Sequence, residues 1–277
     1  MPILSSLVSS LRPKRRDWDL ATRDLVGGFA AHDLWMLLGT NDIRLRYNRS
    51  KFGQFWITLS MAIFIGGIGL VYSTLFNQPM QDYLPFLAVN ITVWTLISGM
   101  ISDSSTVFTQ AAVFMRQDAL PRTVFVLRLL VRNLIVLAHN ILIVPLAFLI
   151  FLVRPSWTIL LAIPGLAIVL AALFFLTLML GVLATRFRDL PQIVQNAMQL
   201  FFFITPIMWR ADQLTGGREL VVLLNPFASL LRIVSEPLLG HVPPVQSYIA
   251  ACASVVILAA VALPFFARFR ARLVYWL

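Results

Sequence analysis

An all-helical membrane protein with six crossings is the fold class this sequence predicts, and three observations carry it. The 277 residues are 59% hydrophobic and only 12% charged, with a mean hydropathy of +0.85, too apolar for a soluble domain of this length. From Gly53 to Phe76 no charged residue occurs for 24 positions, more than the ~20 needed to cross a bilayer's hydrocarbon core at a rise of ~1.5 Å per residue. Immediately before that run, RLRYNRSK places Arg44, Arg46, Arg49 and Lys51 within eight positions, the cationic flank expected where a chain leaves the cytoplasmic side. Strands are excluded, because an open sheet edge is unsatisfied in lipid and the alternation of a barrel is absent.

The elements follow in order. Residues 1–52 form an arm whose basic residues come after a short apolar stretch, the reverse of a secretory signal, so it is expected to be cytoplasmic. Within it, 24–38 sets Leu25, Phe29, Trp35 and Leu38 among Asp24, His32 and Asp33, predicting an interfacial amphipathic helix with Trp35 at headgroup level. Uncharged or nearly uncharged stretches predict spans at 53–76, 84–107, 123–152, 158–184, 191–209 and 248–267, together the 53–267 transmembrane domain. Pro164 either kinks the fourth or marks its first turn. The external loop 210–247 is expected to hold a helix started by Asn225-Pro226 and stopped by Pro237, with Phe227, Leu230, Leu231 and Val234 on one side; it is too short to cross. Residues 268–277 form a tail.

Charge sets the direction. With the N-terminus inside, 18 of the 22 Lys and Arg fall on cytoplasmic segments, and Arg154, Arg210, Arg218 and Arg232 fall outside, which puts both termini in the cytoplasm. A net charge of +10 does not point to nucleic acid, because the cations sit at the ends of apolar runs rather than along one soluble face. The lone Cys252 permits no intrachain disulfide and is expected as a buried thiol.

Catalytic patterns are missing. The two lysines, Lys14 and Lys51, stand in no G-x-x-x-x-G-K-[ST] context, so ATP hydrolysis is expected on another polypeptide. His32, His139 and His241 lie in separate regions without ligand spacing, and no metal site is expected. Asp103 is the deepest charge, near a span end, which disfavours an ion-coupled carrier.

Neutral polarity recurs at helical spacing. Thr95, Ser98, Ser102, Ser105 and Thr109 stripe the second span, and Gln192, Gln195, Asn196 and Gln199 the fifth. Either stripe could line a route for a hydroxyl-rich substrate or hold helices together. Phe201, Phe202 and Phe203 offer stacking faces or packing. His139-Asn140 is read as a packing pair. The connection 110–122 interleaves Phe114, Met115 and Leu120 with Arg116 and Asp118, a short amphipathic helix that a soluble partner could grip in a groove or that lies on headgroups.

Four strings, in order and at matching topological places, resemble one family: DIRLRYNRSKFGQFWITLS, FMRQDALPRTVFVLR, RFRDLPQIVQNAMQLFFFITPIMW and NPFASLLRIVSEPLLG. The chain from about Asp33 to its C-terminus is similar to permease subunits of ATP-binding-cassette exporters that move polysaccharides and lipid-linked glycans such as O-antigen, capsule and teichoic acid. The resemblance implies a homodimer in a bacterial cytoplasmic membrane with two copies of a separate ATPase, Mg-ATP bound there and no cofactor on this chain. It implies that Phe114, Met115, Arg116, Asp118 and Leu120 form a coupling helix, that 24–38 is an interface and gate helix, and that 218–238 gates the external mouth. It further suggests a conduit with its entrance near Arg44, Arg46, Arg49 and Lys51, where cations would attract anionic headgroups or a pyrophosphate at ~1 kcal/mol each. A lining from Gln192, Gln195, Asn196, Gln199 and Phe202 is the companion expectation. An exporter of a smaller amphiphile on the same fold is the alternative, and a membrane scaffold or a glycan-modifying enzyme the readings from other classes.

Overall fold

The computed structural model describes residues 13–48, 50–117, 120–210, 222 and 225–277, and all regular structure among them is helical. Two helices precede the first apolar run, α1 (Arg15–Ala30) and α2 (His32–Tyr47). The single helix expected over 24–38 is thus corrected: Ala31, at φ −79° and ψ 45°, breaks it, and α2 continues through Arg44 and Arg46. Along α1, Ala21, Asp24 and Gly28 are buried, while Val26 and Phe29 are exposed.

The apolar runs form α3 (Phe55–Leu75) and α4 (Met80–Ser104), then the short α5 (Val107–Gln110) and α6 (Ala112–Gln117). Next come α7 (Thr123–Asn140) and α8 (Ile143–Ile150), nearly continuous through Ile141 and Leu142. A 3-10 turn at Trp157–Leu161 leads into α9 (Ala162–Arg186), whose first turn holds Pro164, where a missing N–H costs nothing. Then follow α10 (Leu190–Ile204), α11 (Pro226–Leu238), α12 (Val245–Phe269), a 3-10 turn at Arg270–Arg272 and α13 (Leu273–Trp276). Among the described residues five segments are long and apolar enough to cross a membrane: Phe55–Leu75, Met80–Ser104, Thr123–Ile150, Trp157–Arg186 and Val245–Trp276.

The segment expected as a span over 191–209 is the shorter α10, which stops at Ile204. Pro206 is the cause: the residue before a proline is pushed out of the α region, and Thr205 sits at ψ 139°.

α4 is the central post, buried along most of its length, whereas α3 and α12 turn most of their surface outward. Its two ends carry different chemistry. Near its start the Tyr83 hydroxyl donates to Met208 O (2.7 Å), and near its finish Asp103 pairs with Arg132 on α7 (2.6 Å). These points are ~30 Å apart along the helix axis, about the thickness of a hydrocarbon core.

Small residues admit the close packing around this post. A Cβ on Gly39 of α2 would come within 2.8 Å of Val131 Cγ1 on α7, and one on Gly181 of α9 within 2.6 Å of Val107 Cγ1. At the far end Gly165 lies against Ile233 O of α11, whose N-cap Asn225 accepts from Phe227 N (3.0 Å). α11 is buried against α9, α12 and α4, packed on the bundle rather than crossing it. Pro237 falls inside its last turn.

Two sequence expectations for side chains change. Cys252 is exposed, because it lies on the outward face of α12. In the hydroxyl stripe, Thr95 donates to Ile91 O (2.8 Å), Ser105 to Ser102 O (2.7 Å) and Thr109 to Thr106 O (3.0 Å), so these hydroxyls bond their own backbone rather than a neighbouring helix. His139 does pack: its carbonyl accepts from Thr58 Oγ1 of α3 (2.9 Å), and its Nδ1 lies 2.8 Å from Ile135 O.

Candidate functional site

The basic end of the bundle is tied together by one carboxylate. Asp24 is 2% exposed. Its oxygens accept from the backbone N–H of Arg122 (3.1 Å) and Thr123 (3.0 Å), from Thr123 Oγ1 (2.9 Å) and from Arg270 Nε (2.6 Å). The two backbone donors are orphans at the start of α7, so Asp24 caps that helix from a different element and sits at the positive end of its dipole. Gly28, one turn on, allows α1 to lie directly on Thr123, where a Cβ would be 2.5 Å from Thr123 Cβ. Beside it, Arg268 lies 3.6 Å from Asp17. Burial and the neighbouring Arg270 hold the Arg122 guanidinium below its ordinary range, with Asp24 opposing. The N-terminal helix, the segment before α7 and the C-terminal turn thus meet at one point.

A second network lies one step deeper. Asp42 of α2 accepts from Arg128 Nε (2.8 Å) and Arg128 Nη2 (2.5 Å) in a bidentate pair. Arg132, four residues along α7, pairs with Asp103 and stands 3.9 Å from Asp42. Asn133 Nδ2 adds a donor to Asp103 at 3.3 Å. Two carboxylates and two guanidiniums cancel, as the low dielectric there demands. Sequence reading placed Asp103 near a span end and Asp24 among the polar residues of 24–38 without giving either a partner, and it missed Asp42. One signal was available: cations at i and i+4 on one face of an apolar helix require counter-charges nearby.

The cations expected at a substrate entrance remain outward. Arg44, Arg46 and Lys51 are exposed and make no ion pair among the described residues, whereas Arg49 lies outside the described residues. Of the coupling residues, Phe114 and Arg116 are exposed on α6, Leu120 is half-buried, and Asp118 lies outside the described residues. Met115 is buried and anchors α6 to the bundle, while Phe114, near Phe125 (centroids 6.4 Å apart), is on the exposed side.

On α10 all four amides, Gln192, Gln195, Asn196 and Gln199, are exposed, and Val194 and Met198 face inward. Gln192 Nε2 donates to Asn196 Oδ1 (3.0 Å) along the face. Phe202 is half-buried against Trp94. α10 begins four residues after α9 ends at the basic end, and Met208, just past α10, is bonded to Tyr83 at the opposite end. The amides cover a rise of ~10 Å at the basic end, and one turn past Gln199 the same face carries exposed Phe203, whose carbonyl accepts from Trp209 Nε1 (3.1 Å).

Trp209 opens onto a cavity of about 490 Å³ at the far end, walled by α4, α11 and the turn after α10. Phe86 contributes an aromatic face beneath the Arg210 guanidinium, 5.3 Å from the ring centroid. Asp82, Asn90 and the Arg232–Glu236 ion pair also line it. No group of three or more His, Cys, Asp or Glu able to hold a metal occurs among the described residues.

Comparison with known proteins gives a family and relatives. Residues 34–239 match the family model described as ABC-2 type transporter. The chain is 25% identical over 201 residues to an O-antigen export system permease protein RfbA of Klebsiella pneumoniae, covering 72% of this chain and 77% of that one. It is 27% identical over 209 residues to a protein of the same name in Myxococcus xanthus, with the same shares covered.

Proposed function

The chain belongs to the ABC-2 type transporter family, and from that premise we propose that it is the membrane subunit of an exporter of lipid-linked polysaccharide. The observation that carries the substrate class is the exposed amide face of α10, four polar side chains over ~10 Å of rise on a helix that heads from the basic end toward the Tyr83 end. Amides exchange hydrogen bonds with sugar hydroxyls at little net cost, while lipid offers them none. The O-antigen permeases it is similar to point the same way.

In this reading α10 and the turn to Met208 make a sixth crossing, and α1, α6 and α13 lie in the cytoplasm of a bacterial inner membrane. Two copies of the chain enclose the conduit, and two copies of a separate ATPase bind Mg-ATP and engage α6 through Phe114 and Arg116. Movement of α6 reaches α1 and the tail through the Asp24 joint, because the segment after α6 ends on that carboxylate. Arg44, Arg46, Arg49 and Lys51 recruit the anionic lipid carrier, and Gln192, Gln195, Asn196, Gln199 and Phe202 border the path.

Deleting the gene in its own bacterium tests this. Expected are loss of surface polysaccharide, accumulation of the lipid-linked form inside, and restoration by the wild-type chain but not by Phe114→Asp with Arg116→Glu. Unchanged surface polysaccharide in the deletion strain would refute the assignment.

A further inference from the structure

The cavity at the far end has the composition of a sugar site, and nothing in the fold requires it. Trp209 gives aromatic surface for the C–H face of a pyranose, and Phe86 backs the Arg210 guanidinium. Around them stand planar polar groups suited to pairs of vicinal hydroxyls: the guanidinium of Arg210, the amide of Asn90 and the carboxylate of Glu236. Two of these are already oriented. Arg232 pins Glu236, and Asn90, 2% exposed, donates to Phe86 O (3.0 Å). Arg210 is held over Phe86, yet its Nε is buried with no hydrogen-bond partner among the described residues. A buried donor left unpaired costs about 1–3 kcal/mol, which a bound hydroxyl would recover.

Size and charge narrow the ligand. A volume of about 490 Å³ lies within the ~300–1,000 Å³ of small-molecule sites. Asp82 and Glu236 offset Arg210 and Arg232, so the cavity has no formal charge with which to select an ion. Position adds to this: the face of α10 that carries the amides continues one turn past Gln199 to Phe203, and the Trp209 indole bridges from there into the cavity.

We propose that this cavity is a subsite for a neutral sugar unit of the departing glycan, placed where the α10 face ends. This rests on the export reading above and adds to it a binding step at the exit.

The test uses the full chain with its ATPase in living cells. Cys252→Ser removes the native thiol, and Gln81→Cys sets a reporter on the cavity rim. Leu152→Cys, exposed at the same end and outside the cavity, is the control. A membrane-impermeant maleimide is applied during glycan synthesis and again after the lipid-linked sugar supply is blocked, with surface polysaccharide measured in the same cells. Labelling at position 81 is expected to be at least fivefold slower during export, with position 152 unchanged. Equal rates at 81 in exporting cells, or equal slowing at both positions, overturn the subsite and leave the export reading standing. Unchanged surface polysaccharide when the chain is deleted overturns both. Should Gln81→Cys block export, Leu239→Cys on the opposite lip carries the same comparison.

Discussion

Arg270 Nε donates to Asp24 Oδ2 at 2.6 Å, joining the last turns of the chain to its first described helix. Asp24 has no water to fall back on, and the Arg270 side chain is 16% exposed. Removing one partner of a buried pair leaves the other charge uncompensated, at about 3–5 kcal/mol. Asp24→Ala is therefore expected to lower the unfolding temperature of the detergent-purified protein strongly. Asp24→Asn is expected to fall between the two, because its amide oxygen still accepts from the start of α7. Equal melting of the alanine variant and wild type would remove the joint from the account.

The Asp42–Arg128 pair predicts non-additivity. Asp42→Ala strands Arg128 beside the like-charged Arg132, and Arg128→Ala leaves Asp42 only its longer 3.9 Å contact with Arg132, whereas the double variant strands neither. Coupling in a double-mutant cycle of unfolding is expected at about 1–3 kcal/mol. Strict additivity would mean that solvent already screens the pair.

Glycines separate packing from propensity. Gly165 sits against Ile233 O, so Gly165→Ala forces α9 from α11 and is expected to cost about 1–3 kcal/mol. A Cβ on Gly66 of α3 meets nothing within 4 Å, so Gly66→Ala is expected to gain about 0.5–1 kcal/mol from helix propensity. Thermal unfolding of the two variants side by side reads the difference in sign.

Replacing Gln192, Gln195, Asn196 and Gln199 with leucine tests α10. These side chains are exposed, so stability should change by less than about 0.5 kcal/mol per site. Surface polysaccharide should fall severalfold at equal protein abundance. Wild-type export would show that the face borders lipid or a second copy rather than the path.

Neutralising Arg44, Arg46, Arg49 and Lys51 to glutamine should weaken binding to anionic vesicles by about 1 kcal/mol per charge near the surface. Co-sedimentation with phosphatidylglycerol vesicles at low salt measures it, and an unchanged partition would deny the cluster a lipid role.

How far the sequence could be read depended on what each residue answers to. Ends of apolar runs were legible to about one turn, because charge is excluded from hydrocarbon wherever it lies in the chain: 53–76 became Phe55–Leu75 and 123–152 became Thr123–Ile150. The end of α10 was not, because composition stays apolar past Ile204 and the local rule at Thr205-Pro206 decides. The break at Ala31 carried no proline or glycine at that position to announce it.

By itself, then, the sequence determined a helical membrane protein, its apolar segments and the charge asymmetry at their ends, since partition between water and lipid is a property of each segment alone. Only the tertiary structure decided which face of each helix turns inward. Lipid and protein interior are both apolar, so hydrophobic periodicity does not distinguish them, and α1 buries Asp24 and Gly28 while exposing Phe29. Only the fold could bring Asp24 to Arg270 and Asp42 to Arg128, because a buried charge is stabilised by where its partner lies in space.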